Sequence, residues 1–164
     1  MLFKNKTYQL ITNLSEQEVF KILNDNTTKE QLIRFTKPKT FFEGKIESNF
    51  FKLIKVTEGQ NNLIPILSGQ ILTKSNQTCI NFTFQQNSTV DIFMGLYIFV
   101  TSIFLIFASI MIVNDNLHHK AIILIPFSIL FFGVIIYQVS TSEIKKESIN
   151  FLEKIFQEKV QEVK

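Results

Sequence analysis

The chain has 164 residues and a net charge of +3 from 17 basic and 14 acidic side chains. Only Arg34 is an arginine and the lysines are scattered, which excludes the concentrated Arg-bearing patch of a nucleic-acid binder. A single cysteine, Cys79, excludes an intrachain disulfide and a thiolate metal cluster.

Met1 to Lys6 lacks the continuous apolar core of a signal peptide, so nothing is expected to carry the first ninety residues across a membrane. Thr7–Thr12 reads as a strand. Ser15-Glu16-Gln17-Glu18 has the spacing of a capping box, with Leu14 and Val19 placed as a hydrophobic staple. Val19, Phe20, Ile22 and Leu23 then form the buried face of a helix. A second short helix is expected over Thr28–Thr36, stopped before Pro38.

From residue 42 the period becomes two. Phe42, Gly44, Ile46, Ser48 and Phe50 alternate with Glu43, Lys45, Glu47 and Asn49, predicting one dry and one wet face. Ser48-Asn49 turns the chain into a strand ending near Val56. Leu63–Thr73 is a further strand whose Pro65 suggests an edge or a bulge. Over Thr78–Gln85, Ile80, Phe82 and Phe84 face inward, and Cys79, Asn81 and Thr83 outward. Short connections predict an antiparallel sheet with the N-terminal helices on one face.

Phe93–Val113 and Ala121–Val139 carry no charge and hold 13 residues each of Ile, Leu, Phe and Val. A hydrocarbon core about 30 Å thick takes roughly 20 helical residues, so both runs predict membrane spans. Insertion of each is favourable by at most about 4 to 8 kcal/mol. The polar joint Asn114–Lys120 is short and makes the helices antiparallel. In the first run Gly95, Ser102 and Ser109 recur every seven residues; in the second, Pro126, Gly133 and Ser140 do. Pairing them in antiparallel order predicts a helix-packing seam at which small residues let the backbones approach. Eleven Lys or Arg precede the spans, one lies in the joint and five follow. The positive-inside tendency therefore predicts a two-pass topology with both termini cytoplasmic.

From Ser142 a stripe of Ile144, Ile149, Leu152, Ile155, Phe156, Val160 and Val163 predicts an amphipathic C-terminal helix. Docking on the sheet is the first expectation for this stripe. The membrane surface or another chain are the alternatives.

The segments Phe42-Glu43-Gly44-Lys45-Ile46, Asn61–Pro65, Gly69-Gln70-Ile71 and Thr78–Met94, with Glu143 and Phe151-Leu152 in the tail, resemble a family of uncharacterised bacterial small two-pass membrane proteins. The resemblance covers roughly residues 40–156 and implies an N-terminal α+β domain, two spans and a terminal amphipathic helix. It brings no catalytic residue, cofactor or ligand.

No residue pattern points to chemistry. His118 and His119 are adjacent and diverge, and with Asp115 alone they make an incomplete metal site. Cys79 has no histidine near it in sequence to activate it. Gly44, Gly59 and Gly69 match no nucleotide fingerprint, and Gly44 and Gly69 suggest bulges or close backbone contacts. Asn61-Asn62 with Gly59 reads as a turn. The tail glutamates alternate with lysines as a solvated helix face does.

The expected fold is α+β: a small antiparallel sheet with N-terminal helices over 1–90, interrupted by a transmembrane hairpin over 91–141 (spans 93–113 and 121–139), ending in an amphipathic helix over 142–164. No catalytic, cofactor or metal residue is expected, and the chain is not expected to be an enzyme. The expected partners are the lipid bilayer and a protein, not nucleic acid. The expected role is a membrane-tethered cytoplasmic interaction or regulatory module at a bacterial inner membrane, of which a defence or toxin-immunity protein is one version. The alternative is an anchored lipid- or small-molecule-binding domain in which the tail helix closes over a curved sheet.

Overall fold

The computed structural model describes residues 6–29, 40–47, 49–57, 64–74, 77–86, 88–114 and 121–163. The chain divides into two compact units, one of Met1–Asn87 with Glu143–Lys164 and one of Ser88–Ser142. The fold is α+β, with seven strands in a mixed sheet and three helices among the described residues.

The first unit opens with β1 (Thr7–Thr12) and α1 (Glu16–Asp25). Ser15 caps α1 as its spacing requires: the Glu18 amide donates to Ser15 Oγ and the Ser15 amide donates to the Glu18 carboxylate. Val19 and Leu23, one turn apart, are fully buried. At the other end Asn26 Nδ2 and Thr27 Oγ1 donate to the Ile22 and Leu23 carbonyls, satisfying two acceptors that a helix end leaves open.

The sheet comprises β2 (Thr27–Thr28), β3 (Phe42–Glu47), β4 (Phe50–Lys55), β5 (Ile66–Lys74), β6 (Gln77–Gln85) and β7 (Val160–Val163) with β1, in the order β2-β3-β4-β5-β6-β1-β7. All pairs are antiparallel except β2 with β3. That parallel pair corrects the all-antiparallel expectation. The stretch between Thr28 and Phe42 is long enough for a crossover, which short hairpin loops are not. It also corrects the start of the expected second helix, since Thr28 lies in a strand; residues 30–36 of that helix lie outside the described residues.

One sheet face packs against α1 and the tail. Leu10, Phe42, Phe51, Leu53, Leu67, Ile71, Ile80, Phe82 and Phe84 join Val19, Leu23, Leu152 and Phe156 in one core. Gly69 makes room in it: a Cβ there would stand 2.3 Å from the Phe51 ring, which lies across the central strand. Gly44, at φ +152°, lies within continuous pairing, so it marks a close backbone approach to Lys52 and not a bulge. Pro65 precedes β5, which runs between β4 and β6, so neither an edge nor a bulge follows from it.

The second unit holds α2 (Ser88–Asn114) and the first part of α3 (Ala121–Phe156). Among the described residues one helix stretch, Phe127–Phe156, is long and apolar enough to cross a membrane, and Ile92–Phe107 is a shorter apolar helix. The tail expectation needs two corrections. The expected second span and tail helix are one unbroken helix, and it stops at Phe156, where Gln157 takes φ 56°. The chain then ends in β7, not in a helix. Val160 and Val163 fit a helical stripe on paper, but the open edge of β1 offers backbone partners that a lone helix end does not.

Docking of the tail on the sheet is as expected. Leu152 and Phe156 enter the core, and Phe151 stacks on Phe41 with centroids 3.9 Å apart. Lys55 on β4 reaches Glu147 on α3 and lies over the Phe41 ring.

Candidate functional site

The face of the sheet opposite the core is where this fold presents polar groups in order. Strand register assigns its residues to rows running across the strands. One row holds Gln161 on β7, Gln9 on β1, Asn81 on β6 and Gln70 on β5, followed by Phe50 on β4 and Glu47 on β3. Four carboxamides thus stand side by side, about 4.8 Å apart. The adjacent row on one side is Thr7, Thr83 and Ser68, continuing into Lys52 and Lys45. On the other side are Ile11, Cys79 and Leu72. Gln70, Gln161, Lys45 and Lys52 are exposed, as is half of Phe50, while Gln9, Asn81, Thr83 and Ser68 are half-buried.

The rows bond internally. Gln9 Nε2 donates to Asn81 Oδ1 at 2.9 Å and to Cys79 Sγ at 2.8 Å, and the thiol faces Asn81 Oδ1 at 3.5 Å. Cys79 is therefore only 6% exposed. That corrects the expectation of an outward, open position: it points to the wet face but is covered by Gln9 of the neighbouring strand and Asn81 of its own. Two more residues on this face depart from expectation. Glu43, read as wet, is buried at 4% exposure, and Phe50, read as dry, is open. The register of β3 with β4 puts Phe50 on the opposite face from Phe42, because Glu47 pairs with Phe50 and Ile46 with Phe51, which turns inward instead.

The tail glutamates are not simply a solvated face. Glu147 pairs with Lys55, Glu153 accepts the Val160 amide at 2.9 Å, and Glu162 pairs with Lys6 at 2.9 Å. Glu147 and Glu162 tether the tail to other segments, and Glu153 ties the end of α3 to β7. The one carboxyl held below its ordinary range by capping is Glu18, through the Ser15 hydroxyl first and the Ser15 amide second.

In the second unit the structure describes the surroundings of four residues of the expected seam, Gly95, Ser102, Ser109 and Gly133. Gly95 has nothing within 4 Å of where a Cβ would stand. Gly133 meets Tyr97: a Cβ there would lie 2.6 Å from the phenol oxygen. The absent side chain lets the Tyr97 hydroxyl reach the backbone and donate to the Ile129 carbonyl. Ser102 and Ser109 turn their hydroxyls back to their own helix, to Ile98 and Leu105. Ser140 is half-buried, and the side chain of Pro126 lies outside the described residues. An aromatic ring with a polar tip outcompetes the small residues because it fills the gap and satisfies its hydroxyl together.

His118, His119 and Asp115, and the Gly59–Asn62 turn, lie outside the described residues. Among the described residues no three His, Cys, Asp or Glu side chains gather to hold a metal. No protein family, no curated protein and no solved structure matches this chain.

Proposed function

We propose that the chain is a membrane-tethered cytoplasmic interaction module, in which α2 and α3 cross the bilayer as a hairpin and the open sheet face recognises a protein. The observation that carries the tether is the surface of the second unit. Phe93, Phe99, Phe104 and Phe107 on α2, and Phe132 and Ile136 on α3, are each at least 60% exposed. Apolar surface so continuous is unfavourable in water and ordinary in lipid. At about 1.5 Å per residue, the 27 residues of α2 extend roughly 40 Å, enough for a core about 30 Å thick. A second crossing is thus compatible with its length. The excess of basic residues outside the joint favours both termini in the cytoplasm. A defence or toxin-immunity protein at the inner face of a bacterial membrane is one form of this role.

The test is retention in the membrane pellet after alkaline carbonate washing, with a cysteine at Asn116 labelled only from outside the cell. Release into the wash, or labelling of Asn116→Cys from the cytoplasm alone, overturns the tether or its topology.

The alternative, a lipid- or small-molecule-binding domain, draws support from one feature: seven strands lie under a tail helix that closes over them. Against it, Phe42, Phe51, Phe82 and Leu152 are fully buried and fill the space between. Native mass spectrometry that finds a stoichiometric lipid or metabolite on the detergent-purified chain would favour this reading.

A further inference from the structure

The last strand carries the pattern of a helix. Ile149, Leu152, Phe156, Val160 and Val163 stand three or four residues apart, the period of one helix face, and α3 keeps that face only as far as Phe156. In β7 the same spacing works against burial: Val160 and Val163 lie on opposite sides of the sheet, Val160 packed against the core and Val163 exposed. The local sequence does not stop the helix either. Residues 157–163 contain no Gly, Asn or Pro, and the chain reverses on Gln157 at φ 56°, a left-handed conformation that a residue with a Cβ resists. What holds the segment as a strand is its pairing, and that is slight. β7 has four residues at the edge of the sheet, three of them exposed. The Lys6–Glu162 pair that ties it to the N-terminal segment is exposed, where such a pair contributes little, and Glu153 holds one amide, that of Val160. Leu152 and Phe156, by contrast, are fixed in the core, so Gln157 divides an anchored part of the tail from a loosely held one.

We infer that β7 is a releasable strap over the edge of β1: residues 157–163 exchange between a strand paired with Thr7–Leu10 and about two further turns of α3. The helical state frees Gln157 from its left-handed conformation and returns Val160 and Val163 to the face of Leu152 and Phe156. It also uncovers the backbone groups of Thr7–Leu10 that face β7, and an open edge of this kind is a template for another strand. Strand pairing thus closes the edge and helix growth opens it. The inference concerns the sheet unit alone and does not rest on the proposed tether or partner.

The experiment uses the full chain in mild detergent with isotope-labelled valine, whose α-carbon chemical shifts separate helix from strand. Saturation transfer at Val160 and Val163 shows the strand state and a minor state with helical shifts, populated to about 1% or more. Gln157→Gly lowers that population about tenfold, since glycine accepts the left-handed turn and disfavours the helix. Gln157→Ala raises it about twofold. A disulfide between Thr7→Cys and Val163→Cys, positions that pair across the two strands, abolishes it at Val160 in a Cys79→Ser background. Gln157 is exposed, and thermal unfolding checks that each variant is folded; where one is not, the wild-type shifts decide alone. A wild-type chain with no minor state, a minor state with the shifts of a disordered chain, or a helical population indifferent to Gln157→Gly each overturns the inference.

Discussion

Leu152 tests whether the tail is a structural part of the sheet unit. It lies near the C-terminal end of α3, is 1% exposed, and belongs to the same core as Leu10, Phe42 and Ile80. Leu152→Ala removes buried methyl groups and leaves a cavity that strands held on both sides cannot collapse into, which costs about 3 kcal/mol, within the range of roughly 2 to 5 for such changes. The sheet unit comprises the residues of Met1–Asn87 and Glu143–Lys164. For a domain of about 110 residues the unfolding entropy is near 0.23 kcal/mol/K, so the expected fall in Tm is about 13 °C. Far-ultraviolet circular dichroism of the full chain in mild detergent reads this transition. Val163→Ala, at a position 45% exposed, provides the control and should change stability by less than about 0.5 kcal/mol. If Leu152→Ala lowered Tm no more than Val163→Ala, the tail would not be a core element and the proposed docking would be wrong.

Other expectations follow from single contacts. Gly133→Ala should displace the Tyr97 ring and break its bond to the Ile129 carbonyl, weakening helix association by about 0.6 to 1.7 kcal/mol; in a Tyr97→Phe background the effect should shrink, as a double-mutant cycle in detergent unfolding would reveal. Paired cysteines at Tyr97 and Gly133 should crosslink within one chain, and cysteines at Gly95 and Ser140 should not. Because the Glu18 carboxyl is held below its ordinary value of 4.5, its capping contribution is fully present above that pH and is lost as pH falls through the lower folded-state value. Replacing it with Gln should flatten the slope of Tm against pH below about 4.5 and lower Tm near neutrality, where the capping carboxylate is fully charged. Glu147→Ala should cost about 1 to 2 kcal/mol, since Lys55 keeps only 16% of its side chain in solvent and loses its partner. Lys6→Ala, which removes an exposed pair, should leave denaturant midpoints unchanged.

Local chemistry was readable along the chain wherever it is decided within a few residues. The capping box at Ser15, the i, i+4 pair Val19 and Leu23, and the alternation through Ile80, Phe82 and Phe84 each depend on neighbours one turn or two residues away. The apolar character of the runs near residues 100 and 130 was likewise legible, because hydropathy sums residue by residue, and among the described residues Phe127–Phe156 is long and apolar enough to cross a membrane. The amide row was not readable. Gln161, Gln9, Asn81 and Gln70 come from four strands, of which only β5 and β6 are consecutive, and only pairing register makes them neighbours. The same register decides which face Phe50 takes and roofs Cys79 with Gln9.

The tail shows where the division lies. Its apolar stripe stated that one face must be buried, because leaving it in water is unfavourable at every residue. Whether the last turn stays helical depends on an unpaired edge of β1, more than 140 residues earlier in the chain, offering hydrogen bonds to Val160–Val163. Hydrophobic period is a property of one segment alone, and backbone pairing is a property of two. Helices, apolar runs and dry faces therefore come from sequence, whereas the end of α3, the parallel pairing of β2 and the contact at Gly133 come only from what the rest of the chain brings beside them.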